Sequence, residues 1–327
     1  MKFFLKVFLP VCMIILLYSC KTRLDVNAGW KDIAIVYGIL NQSDTVHFIK
    51  ITKAFLGPGD ALQYAQIPDS SNYTSLDASL DEYLNNSLRR TLHLRDTSIT
   101  DKDSGIFYFP VQKLYYTREK LNEKCYYRLN ILNTRTGNLI QSATMLVGTF
   151  TLVQPTMLPG IIIVPDKACA VQWISAPGGK RYQLTLRIHY SEYHYGDTSR
   201  TFHYLDWLTF TKERSMGNEG GQTMTAYLNG EDFYRYLGSN LKADPDIQRW
   251  IGRCDFVFLV GSEDLDSYLE TSQQSYSFIT AKPPFSDIIN GIGLFASRHV
   301  QSFDTIQFAD ITKDSLKTNR YTRGLGF

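Results

Sequence analysis

The clearest period-two segment of the chain runs from Lys180 to Tyr190. Tyr182, Leu184, Leu186, Ile188 and Tyr190 take one side; Arg181, Gln183, Thr185, Arg187 and His189 take the other. That period belongs to a half-buried antiparallel strand. It returns through Tyr195–Arg200 into a second run, Thr201–Phe210, so a hairpin is expected. Similar patterns recur upstream. Ile33–Leu40 is almost continuously apolar, Thr45–Ala54 is rich in β-branched residues, and Asn41–Asp44 between them supplies turn chemistry. Cys125–Ile131 alternates, and a polar turn over Asn133–Asn138 leads into Leu139–Val147. Ile106–Tyr116 is a further strand candidate, with Pro110 implying an edge or a bulge. Asp77–Leu94 fits a strand or a short helix, and Gly57–Ser75 reads as a long loop.

Helical periodicity is rare. Asn229–Gly230 followed by Glu231 and Asp232 reads as a helix start, with Phe233, Tyr236, Leu237 and Leu241 on one face and Gly238 fraying the end. Ser262–Asp264 before Leu265, Tyr268 and Leu269 starts a second helix, after a strand over Asp255–Val260. The pattern resets near Pro155 and Pro159–Gly160. The expected fold is mainly β: two β-sandwich-like, immunoglobulin-like domains over 32–150 and 151–310, the second with a few short helices, and a polar tail over 311–327.

Composition adds room and limits. The 327 residues suffice for two domains, and 44% apolar with 20% charged residues excludes global disorder. The N-terminus changes the picture more. Lys2 and Lys6 precede an apolar stretch, Val7–Tyr18, which is too short to span a bilayer and has the form of a signal peptide over 1–19. It ends Leu17-Tyr18-Ser19-Cys20, which resembles the bacterial lipobox. The resemblance implies acylation of Cys20, a tether over 20–31 and anchoring to a membrane by several acyl chains. Lys21 in place of Asp favours the outer membrane by the same resemblance, with the face left open. Without Lys2 and Lys6, basic and acidic residues balance at 32 each, so nothing in the charge calls for a nucleic-acid partner.

Cys125, Cys169 and Cys254 remain in the mature chain, each in strand-like sequence, and are expected as buried free thiols. No phosphate loop, dinucleotide fingerprint, nucleophile elbow or zinc-protease pattern occurs, so neither a catalytic residue nor a cofactor is expected. Asp101 and Asp103 are closely spaced carboxylates read as a turn. Glu192, His194 and His203 could meet at a hairpin tip: a tight turn sets Glu192 opposite His203, and Tyr190 opposite Leu205. Two histidines and a carboxylate make a candidate zinc set, against the plainer reading of a polar hairpin end. The 21 tyrosines are the outlier in composition. Tyr190, Tyr193, Tyr195 and Trp207 are candidate ligand-contacting aromatics.

The lipobox, the segment Ile35-Val36-Tyr37-Gly38-Ile39-Leu40 with Asp44-Thr45-Val46, and the segment Ile289-Asn290-Gly291-Ile292-Gly293-Leu294-Phe295 together resemble a group of uncharacterised Bacteroidota envelope lipoproteins. The resemblance implies a neighbourhood, often shared with TonB-dependent outer-membrane receptors, and no catalytic residues. Three functions stay open. They are a non-catalytic accessory of a nutrient-uptake complex, a surface glycan-binding module, and a metal-dependent hydrolase at the His/Glu cluster. Whether Trp30, Trp173, Trp207 or Trp250 lines an open face discriminates the second.

Overall fold

The computed structural model describes residues 33–54, 61–100, 103–105, 108–197, 199–273 and 285–327. The signal peptide, Cys20, Trp30 and Asp101 lie outside the described residues. In chain order the elements are β1 (Ala34–Leu40), β2 (His47–Lys53), α1 (Ala61–Ala65), α2 (Pro68–Ser71), β3 (Leu76–Leu84), β4 (Ser87–His93), β5 (Arg95–Ile99) and β6 (Gln112–Thr117). Then follow β7 (Tyr126–Asn133), β8 (Leu139–Met145), β9 (Thr151–Gln154), β10 (Ala168–Ile174), β11 (Arg181–His194), β12 (Thr201–Arg214) and β13 (Thr223–Asn229). The chain closes with α3 (Gly230–Asn240), β14 (Ile247–Gly261), α4 (Glu263–Gln273), β15 (Gly291–Gln307) and α5 (Asp310–Thr318).

The fold is mainly β. An eight-stranded sheet has the order β12-β11-β14-β15-β1-β2-β6-β5, faced by a four-stranded sheet β4-β3-β7-β8 and a three-stranded sheet β13-β10-β9. Alternation along the strands sends apolar side chains into two cores. One joins Val36, Ile49 and Ile51 to Leu80, Leu129 and Ile131. The other joins Leu184, Leu186, Phe256 and Phe258 to Val171, Trp173 and Leu228. The seventeen-residue β15 runs through both. Its first half pairs in parallel with β1, Val36 opposite Gly293, and its second half pairs antiparallel with β14, Phe258 opposite Gln301. Phe295 and Ile288 thus fill the first core although they come from the end of the chain.

Several local expectations are corrected. Asp77–Leu94 is a hairpin, because Asn85 and Asn86 at φ 49° and 63° form the two-residue turn that suits strand twist. The loop after Gly57 contains α1 and α2. Gly238 does not end α3; it sits where a Cβ would lie 2.6 Å from the Tyr321 carbonyl oxygen. The segment 311–327 is no tail. Thr312 and Leu316, one turn apart, bury the inner face of α5, and Leu325 is also buried. The exposed face of α5 supplies the polar residues that mask this role in the sequence. Cys125, Cys169 and Cys254 are buried free thiols.

Candidate functional site

The expected hairpin forms, but two residues out of the tight-turn register. Glu192 pairs with Thr201, Tyr190 with His203 and Ile188 with Leu205. The reason lies on the other side of β11. Tyr193 and His194 pair with Gln248 and Ile247 of β14, and the Tyr195 amide donates to the Asp246 carbonyl at 2.9 Å. β11 therefore outruns β12, and the connection 193–200 is longer than a tight turn.

A two-residue shift keeps each side chain on its face. His203 accordingly lies 3.7 Å from Glu192, and its ring stacks on Tyr190 with centroids 5.4 Å apart. Glu192 is committed elsewhere. Its Oε1 accepts from Nε of Arg249 at 2.6 Å, and a second Arg249 nitrogen donates to the Leu325 carbonyl at 2.6 Å. Arg249 is buried, so Glu192 serves as the counter-ion of a buried cation. His194 is exposed at the strand end. Among the described residues no three His, Cys, Asp or Glu side chains converge as a metal site requires.

The opposite, outer face of the same strands carries a different constellation. Opposite His189, β14 is irregular: Ile188 pairs with Cys254 but Tyr190 with Ile251, so Gly252 and Arg253 together oppose His189 in a bulge of one extra residue. Nε2 of His189 lies 2.6 Å from Oδ2 of Asp255. Burial alone would raise the Asp255 pKa; hydrogen bonds from His189 and the Thr305 amide, with Arg253 nearby, hold it below its ordinary value. Two residues along, Arg187 grips Asp206 through two parallel hydrogen bonds of 2.8 Å and lies over the Tyr204 ring at 4.5 Å. That hydrogen-bonded pairing lowers the Asp206 pKa.

Towards the hairpin end the face becomes aromatic. Phe202 is 82% exposed, Tyr195 67%, Tyr204 58% and Trp250 41%. Tyr193 packs against both Tyr195 and Trp250, and its hydroxyl donates to Gln248. The guanidinium of Arg200 lies 4.4 Å from the Trp250 ring centroid and 6.0 Å from that of Tyr193. A depression of about 650 Å³ opens among His189, Ser191, Arg200, Phe202, Trp250 and Arg253.

Of the expected aromatics, Tyr193 and Tyr195 belong to this face. Tyr190 packs against the second core, and Trp207 lies on the inner side against Phe233 and Tyr236 of α3, at 5.8 and 6.1 Å. Trp173 is wholly buried, stacked on Phe210 at 5.7 Å. Of the described tryptophans only Trp250 reaches the open face. Phe202, Arg200 and Arg253 were not singled out by sequence. The signal was present: carrying the outer parity of β11 across to β12 selects Phe202 and Tyr204, in the tight-turn register as well as in the observed one. No bulge at Gly252 is legible from alternation.

No family model matches the chain, and no curated protein matches it. Among solved structures, the C-terminal globular domain of an oligosaccharyltransferase from Pyrococcus abyssi is similar at 11% identity over 85% of this chain and 49% of that one, with a TM-score of 0.22. The chain spans about half the length of that structure.

Proposed function

We propose that this chain is a non-catalytic binding protein of the cell envelope, held at the outer membrane by lipid on Cys20, with the outer face of β12, β11 and β14 as its ligand surface. The observation that carries the reading is the clustering of Phe202, Tyr195, Tyr204 and Trp250 on one open sheet face beside a depression of ligand size. Exposed rings with polar neighbours suit a saccharide, whose C–H face lies on an aromatic plane while its hydroxyls find donors and acceptors. The glycan-binding version is therefore favoured over a purely structural accessory of a receptor, and both remain compatible with a nutrient-uptake complex.

The test is retention on a panel of immobilised polysaccharides. The wild type is expected to be retained on at least one member, and the double variant Phe202→Ala, Trp250→Ala to lose about ten-fold or more in affinity, each ring contributing roughly 1 kcal/mol. Equal retention of the double variant would remove the face from the account. The anchor has its own check: a fatty-acid label should enter the full chain in cells and should be absent from Cys20→Ala.

A further inference from the structure

The ligand face has a charge as well as a shape, and its charge names the ligand more closely. Among the described residues, those lining the depression include Arg200, Arg253 and His189 and no Asp or Glu. The nearby carboxylates are spent. Asp255 accepts from His189 and from the Thr305 amide, and Glu192 is held by buried Arg249. Arg253 reaches Asp255 only at 3.4 Å, through one nitrogen.

Arg200 is the sharpest case. Its described contacts are the rings of Trp250 and Tyr193, and among the described residues it has no carboxylate partner. Stacking fixes the plane of a guanidinium and leaves the donors at its edge free. A planar fork of free donors is the complement of a carboxylate or sulfate. The surplus is local, since the chain without its first nineteen residues has equal numbers of basic and acidic side chains. Phe202, the most exposed of the four rings, carries no arginine, whereas Tyr204 is covered by Arg187 and Trp250 by Arg200.

We infer that the ligand is an acidic saccharide, with a sugar ring on Phe202 and its carboxylate or sulfate held by Arg200 and Arg253. This rests on the ligand face proposed above and assigns the class of molecule that face takes. Trp250 then has a second role beside its sugar contact, which is to position Arg200.

The experiment is calorimetric titration of the detergent-solubilised full chain with tetragalacturonate and with its fully methyl-esterified form, which keeps the backbone and removes the charge. The acid is expected to bind about ten-fold tighter than the ester, an advantage that shrinks as salt is raised. Arg200→Gln should collapse the ratio of the two affinities, and Trp250→Ala should lower it in the same direction. Lys317→Gln, on the exposed face of α5, should leave the ratio unchanged. Equal affinity for acid and ester, binding of the ester alone, binding of neither, or a preference that survives Arg200→Gln would each overturn the inference. The ligand face itself stands or falls separately, on the polysaccharide panel and the Phe202→Ala, Trp250→Ala variant.

Discussion

Arg249 decides more at the level of single residues than any other charged group. Buried and bonded to both Glu192 and the Leu325 carbonyl, it ties the hairpin end to the end of the chain. It also turns a carboxylate that looked available for chemistry into a structural counter-ion. Other buried groups set the pH dependence of stability. Neither ring nitrogen of His47 makes a well-formed hydrogen bond, and burial lowers its pKa; burial lowers that of His299 as well. Both rings are neutral in the fold, whereas in the unfolded chain they titrate near 6.5. Their contribution is therefore complete above about pH 6.5 and is lost as the pH falls through the lowered native values. Asp264 acts in the opposite sense. Burial, with Asp287 and Glu263 nearby, raises it to about 6, so its contribution is present below the ordinary carboxylate range and lost as the pH rises through 6. An Asp264→Asn background removes one carboxylate that opposes the histidine effect and leaves Asp287, which burial also raises. The urea midpoint should fall between pH 7 and pH 5, and His47→Leu should make that fall smaller. A midpoint independent of pH in that background would contradict the assignment.

At the scale of elements, β15 is the beam of the molecule. The two segments that carry the resemblance to envelope lipoproteins, Ile35–Leu40 and Ile289–Phe295, lie side by side as the parallel pair of β1 and β15. Their glycines have separate reasons. Gly38 leaves room for Ile49 and Phe295, while Gly293 adopts φ 128° with its missing Cβ 1.9 Å from the Val36 carbonyl oxygen. Gly293→Ala should cost roughly 3 kcal/mol or more in urea unfolding, through strain and the lost close approach. Gly324→Ala, where nothing lies within 4 Å of the added carbon, serves as the control. Equal effects of the two would deny β15 its role. Alternation made β7, β8 and the hairpin β11–β12 legible, and the capping sequence at Asn229 made α3 legible, its side chain accepting from the Glu231 amide. What stayed hidden was non-local. The union of β1 with β15 joins residues more than two hundred positions apart, and no local pattern reports it. The hairpin register was hidden for a related reason, since β14 and not the turn sets the length of β11. The helix in the expected tail was masked because two buried positions, Thr312 and Leu316, are enough to dock it.

For the molecule as a whole, one continuous eight-stranded sheet joins two sandwich-like cores, and the proposed ligand face lies on the sheet beside the second core, at the open end of β11 and β12. Strands packed on their inner side by Leu184, Leu186, Phe256 and Phe258 give the outer side chains a rigid platform. β12 is an outer strand of the sheet, and its exposed rings face solvent and not a neighbouring strand. The central claim is that this face, and no other exposed apolar position, meets the ligand. Hydroxyl-radical footprinting of the full chain, with and without a polysaccharide that retains it, tests this directly. Phe202, Tyr195 and Trp250 should be protected several-fold, while Tyr227, 71% exposed on β13, should react unchanged. Protection at Tyr227 without protection at Phe202 and Trp250 would place the ligand elsewhere and contradict the account.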